Sequence, residues 1–172
     1  MTTPALPLPD LAFLAISPQA VILITALVVL FLDLFVPRVE KINITLTSLT
    51  GVVIAFIASQ SLNPSGEALF SGLVIRDGWS VYLDQLFLLG TGLVLLLSHH
   101  YAERHGLEAY GEYTVLLLLA TLGMMTVSIS ADLVTVFLGI ELLSLCLYVL
   151  AGFNKSSLAS GEAAVKYFLL GA

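Results

Sequence analysis

Residues 113–153 read YTVLLLLATLGMMTVSISADLVTVFLGIELLSLCLYVLAGF, and Asp132 and Glu141 are the only formally charged side chains in that run. Two apolar segments, 113–127 and 132–153, flank the short connection Ser128 to Ala131. A hydrocarbon core of about 30 Å takes roughly 20 apolar residues, so the run reads as a pair of membrane-crossing helices. The tight connection makes them antiparallel neighbours.

The same pattern continues in both directions. Towards the N-terminus, spans are expected over 16–36, 42–61 and 79–98; towards the C-terminus a sixth begins at 158 and is still apolar at Ala172. The first stops at Pro37-Arg38, where proline removes a backbone donor and arginine suits the headgroup level. The second ends at Asn63-Pro64-Ser65-Gly66. A short amphipathic stretch, 67–78, leads to Trp79 and Tyr82, placed as an interfacial aromatic belt, and residues 99–112 read as a polar loop. The first eleven residues hold no Lys or Arg, which excludes the basic region of a secretory signal. The fold class is therefore an all-α polytopic membrane protein, five complete transmembrane helices and the start of a sixth. Residues 1–172 read as a single membrane domain, the N-terminal part of a larger bundle.

Composition agrees. Of 172 residues 59% are hydrophobic and 10% charged, against roughly 25% charged in soluble domains, and mean hydropathy is +1.05. Twelve acids against six bases give a net charge of −6, which offers nothing to nucleic acid. One cysteine, Cys146, forms no internal disulfide and reads as a small apolar residue. Lys and Arg in alternate loops favour one orientation. With the N-terminus outside, Arg38, Lys41, Arg104 and Lys155 lie on the inner side and only Arg76 on the outer.

An ionisable side chain at the bilayer centre costs at least about 2.5–3.5 kcal/mol, so each one calls for an account. Glu141, nine residues from Asp132, lies about 13.5 Å into its span at 1.5 Å per residue. Apolar surroundings favour its protonated form and a nearby ammonium its ionised form, so a movable cation would load and unload a proton there. Lys166 reaches a similar depth from the opposite face and is the candidate partner. Ser144 stands one turn beyond Glu141, able to hold a water beside the carboxylate. Asp132 fits a helix cap better than a proton entry, and Glu162 fits the same reading. Asp33 and Asp84 fall about one turn inside opposite boundaries; an interfacial anchor is one reading of either, and their roles stay open. His99, His100, His105 and Glu103 match no familiar metal-ligand spacing, and no metal site is expected. A glutamate and a lysine that only pack helices remain the non-conducting alternative.

The segments Gly111-Glu112-Tyr113 through Leu122-Gly123-Met124-Met125, Asp132-Leu133 and Phe137 to Leu145 resemble subunit N of NADH-quinone oxidoreductase, an antiporter-like, proton-translocating family. Tyr148 to Phe153 and Glu162-Ala163-Ala164-Val165-Lys166-Tyr167-Phe168-Leu169-Leu170-Gly171-Ala172 extend the likeness. The resemblance implies a membrane subunit of a respiratory complex in a bacterial inner membrane or an organellar membrane, packed against other membrane subunits. It implies no cofactor in this chain; NADH, FMN, Fe–S centres and quinone would work elsewhere in the complex, and electron transfer there would drive protons through this subunit. Glu141 then matches the family's buried glutamate and Lys166 a lysine on the following helix. Relatives also carry a paired lysine on a seventh, interrupted helix, and many have proline where this chain has Cys146. Cation/proton antiporter subunits of the Mrp type share the scaffold and form the rival functional class; a non-conducting assembly module is a structural rival.

Overall fold

A computed structural model of the chain describes residues 13–35, 40–62, 66, 68–105, 109–155 and 157–171. After a 3-10 turn, Phe13–Ile16, the helices are α1 (Ser17–Phe35), α2 (Lys41–Ser61), α3 (Gly78–His105), α4 (Tyr110–Ile129), α5 (Leu133–Ala151) and α6 (Leu158–Gly171). Five helical segments, all but α6, are long and apolar enough to cross a membrane.

Packing follows chain order with one closure. α1 packs on α2, α2 on α3, α3 on α4, and α4 returns to α1, so the first four helices close a ring. Its core includes Ile22, Ile44, Ala55, Leu88, Leu95, Leu118 and Met125. α5 lies outside the ring against α4, and α6 against α5. Of α5 only Gly139 and Cys146 are buried, and of α6 no described residue is.

Small residues set how closely these helices approach, as expected where both lipid and helix surfaces are apolar. Gly123 of α4 faces Gly139 of α5, and a Cβ on Gly123 would stand 2.8 Å from the Gly139 carbonyl oxygen and 2.8 Å from the Leu143 nitrogen. The Cβ position of Gly51 in α2 is filled by the Thr25 side chain of α1.

Side chains finish the helix starts. The Asp132 carboxylate accepts from the Val134 N–H at 2.9 Å and caps α5. At the entry to α3, Asp77 accepts from the Ser80 N–H (2.8 Å) while its own N–H donates to Ser80 Oγ (2.9 Å), a reciprocal cap.

Two stretches differ from the sequence expectation. Residues 67–78, expected to be amphipathic, contain a small antiparallel hairpin, β1 (Ala68–Leu69) and β2 (Val74–Ile75), in register Ala68↔Ile75 and Leu69↔Val74. Its reversal uses positive φ at Phe70 (52°), Ser71 (59°) and Gly72 (91°), a turn that the Phe-Ser-Gly sequence hides because it is neither Asn-Gly nor Asp-Gly. A bridge Val74↔Ser130 and the Ala131 N–H to Leu73 carbonyl bond (3.0 Å) fasten the hairpin to the α4–α5 corner. The expected loop over 99–112 is also shorter, because α3 continues to His105 and α4 starts at Tyr110. At about 1.5 Å per residue the 28-residue α3 is about 42 Å long, more than a bilayer core requires.

Candidate functional site

At the hairpin end of the ring an ion pair is closed off from solvent. Arg76, in the connection between β2 and α3, is 2% exposed and Asp84, in α3, 0%. Arg76 Nη2 donates to Asp84 Oδ2 at 3.2 Å and to Ser59 Oγ of α2 at 3.1 Å, and Nη1 donates to the Ala15 carbonyl at 2.9 Å. Gln19 of α1 donates to Asp84 Oδ2 and to the Met125 carbonyl, both at 3.2 Å. Ser128 Oγ of α4 lies 2.6 Å from Asp84 Oδ1 and 2.8 Å from the Met125 carbonyl; its single proton favours the charged acceptor. One carboxylate thus gathers donors from α1, α4 and the hairpin connection, and its guanidinium partner adds α2. Burial pushes the Arg76 guanidinium below its ordinary pKa, and the adjacent Asp84 charge pulls it back up.

Asp84 is therefore no interfacial anchor. Counting from Trp79 places it near the start of its helix but gives no sign that four helices and a hairpin close over it. The available signal was Arg76 itself, the outer loop's one base, standing eight residues from an acid inside a span.

The ion pair heads a ladder of polar contacts between α3 and α4, spaced by seven residues on α3 and by seven and then eight on α4. Asp84–Ser128 is followed by Thr91 Oγ1···Thr121 Oγ1 at 2.7 Å and Ser98 Oγ···Tyr113 Oη at 3.1 Å. Leu88 and Leu95 of α3 and Leu118 and Met125 of α4, all fully buried, lie between these rungs. Spacings of seven and eight residues return to the same helix face after about two turns, so the rungs line one seam between α3 and α4.

Other polar residues gather at the opposite end. The Thr45 hydroxyl of α2 lies 3.2 Å from His99 Nδ1 and 3.0 Å from the Tyr110 hydroxyl, so His99 sits in a helix-to-helix hydrogen-bonded group and not in a loop. Lys41 Nζ donates to the Ala102 carbonyl at 2.9 Å. Asp33 packs across the first turn of α4, its carboxylate filling the space a Gly111 side chain would need. Asp33 thus packs α1 against the start of α4, whose first turn carries a second acid, Glu112. Among the described residues no three candidate metal ligands converge; the side chains of Glu103 and His105 lie outside that set.

The sequence-derived pair is not brought together. Glu141 lies on the exposed flank of α5, with Ser144 half-buried one turn on. Lys166 is exposed on α6 and pairs with Glu162 of its own helix at 2.5 Å, so its described partner is not Glu141, and Glu162 acts as that partner and not as a cap. Both ionisable positions fall on the two helices that the four-helix ring leaves uncovered.

A bundle with five helices long and apolar enough to cross a membrane defines the class as a multi-pass membrane protein. The family model described as "NADH:quinone oxidoreductase/Mrp antiporter, TM" matches residues 130–172, which hold α5 and α6. Similar curated proteins are NADH-quinone oxidoreductase subunit N of Trichlorobacter lovleyi, 39% identical over 91% of this chain and 32% of that protein, and of Geobacillus sp. (strain WCH70), 38% identical over 90% and 32%. Subunit N 2 of Roseiflexus castenholzii is 42% identical over 86% of this chain and 29% of that protein. The chain belongs to the NADH-quinone oxidoreductase subunit N family, and it spans about a third of the length of the curated relatives it matches.

Proposed function

We propose that this chain is part of a membrane subunit of a respiratory NADH-quinone oxidoreductase, and that the whole subunit conducts protons driven by electron transfer elsewhere in the complex. The observation that carries the reading is the position of Glu141 within α5. It is a carboxyl group inside a 19-residue apolar helix that the family match covers, on a flank that the ring of α1–α4 does not use. Such a group is costly in lipid and pays no packing role inside this bundle. A second surface packed against α5 and α6 would enclose Glu141 and Lys166 in a common polar space. There Glu141 gates the proton and Lys166 supplies a movable charge, released from Glu162 when a stronger carboxylate partner is presented. Ser144 holds water beside Glu141, and Asp132 keeps α5 in register through its cap.

The chain itself holds no redox cofactor in this reading; NADH, FMN, Fe–S centres and quinone belong to the complex. Its partners are the other membrane subunits, and its location is the bacterial inner membrane, the N-terminus facing outwards.

The test is Glu141→Gln in the full-length subunit within its complex, with proton pumping and NADH-driven quinone reduction measured in vesicles. Pumping and the electron transfer coupled to it should both fall; unchanged proton stoichiometry refutes the assignment. The family description also covers Mrp antiporters. Cation-driven proton exchange in vesicles without NADH would favour that second reading.

A further inference from the structure

We propose that the Arg76–Asp84 cluster is a binding site for internal water, held between Arg76 Nε and Gln19 Oε1, and that the site is a dead end sealed from the rest of the α3–α4 seam. This is independent of proton conduction through α5 and α6.

The argument begins with the Gln19 amide. Its nitrogen donates to two acceptors, the Asp84 carboxylate and the Met125 carbonyl, and reversing the amide would turn an oxygen towards both. The hydrogen-bond network therefore fixes its sense, and Oε1 points away as an acceptor. Arg76 spends Nη1 and Nη2 on Ala15, Ser59 and Asp84, which leaves Nε–H as a donor. Among the described residues Gln19 Oε1 and Arg76 Nε are buried polar atoms without a partner, and they belong to residues that are 6% and 2% exposed. Buried polar groups are almost always satisfied by protein or by ordered water.

The chemistry of the two atoms selects the ligand. One requires an acceptor and the other a donor, so the ligand must do both. A cation is repelled by the guanidinium, and an anion by the Asp84 carboxylate that both residues already touch. Water meets both demands and needs only a few polar partners.

The interior side is closed. The Leu88 and Met125 side chains, each fully buried, follow Asp84 and Ser128 along the seam, and the next polar rung, Thr91–Thr121, lies about 10.5 Å further on. Water at Arg76 thus completes the hydration of a buried ion pair without opening a wire along α3 and α4.

The deciding experiment is a cryo-EM map of the intact membrane complex carrying the full-length subunit, at a resolution that shows its other internal waters. Density is expected at about 2.7–3.2 Å from Arg76 Nε and from Gln19 Oε1, with none between Leu88 and Met125. Gln19→Leu should abolish the peak at that position and leave Arg76 on Asp84. Absence of density, occupation of both atoms by protein groups, or persistence of the peak in Gln19→Leu overturns the site; a file of peaks from Asp84 to Thr91 overturns its closure. Should Gln19→Leu fail to assemble, the wild-type map decides.

Discussion

Replacing Asp84 with leucine leaves Arg76, 2% exposed, without a carboxylate and leaves Gln19 and Ser128 only the Met125 carbonyl as acceptor. Removing one partner of a buried ion pair costs about 3–5 kcal/mol, because the remaining charge keeps its desolvation penalty and loses its compensation. Arg76→Met has the mirror effect on Asp84, with the tie to Ser59 on α2 and to the Ala15 carbonyl also lost. At about 2.1 cal/mol/K of unfolding entropy per residue, a subunit about three times this chain's length shifts by about 1 °C per kcal/mol, so either single substitution in the full-length subunit lowers the midpoint of thermal unfolding in detergent by about 3–5 °C. The double variant, Arg76→Met with Asp84→Leu, is expected to unfold at a higher temperature than either single one, since two apolar side chains replace two unpaired charges. The two losses should therefore be non-additive by about 2 kcal/mol or more. Additive losses, or a single-variant shift below about 2 °C, would show that the pair does not hold this end of the ring together.

Gly123→Ala forces the α4 and α5 backbones apart and should cost about 1–3 kcal/mol, measured in the same unfolding assay. Gly90→Ala, into open space on α3, should be neutral or slightly stabilising; equal effects at the two positions would remove the close approach as the explanation. Thr91→Val and Thr121→Val together delete the central rung of the ladder without changing side-chain volume much. The expected coupling is about 0.6 kcal/mol, typical of interhelical hydrogen bonds in membranes, with proton pumping in vesicles unchanged; a loss of pumping by stable complex would make the seam a conductor.

The spans over 113–153 were legible because lipid imposes one requirement on each segment separately. Every backbone polar group must be satisfied within the helix, so local apolarity and length suffice to locate a span. The caps at Asp132 and Asp77 are local for the same reason, each closing on a backbone N–H two or three residues away. The site residues divide differently. Glu141 and Lys166 stand out by type and depth alone, yet their partners depend on what meets α5 and α6, and within this chain Lys166 turns to Glu162.

Asp84, Arg76, Gln19 and Ser128 were beyond one-dimensional reading because their meeting joins positions as far as 109 residues apart in sequence, from Gln19 to Ser128. Hydropathy scores each position by itself; whether a carboxylate ends in a headgroup layer or under a guanidinium is settled by which helix faces close the ring. The hairpin tells the same story, its positive-φ reversal at Phe70, Ser71 and Gly72 being held by the α4–α5 corner. Sequence alone determined the solvent and the number of spans, since these follow from transfer free energy. Tertiary packing alone decided which charges are paired, because a buried ion pair persists only where several elements supply its remaining hydrogen bonds.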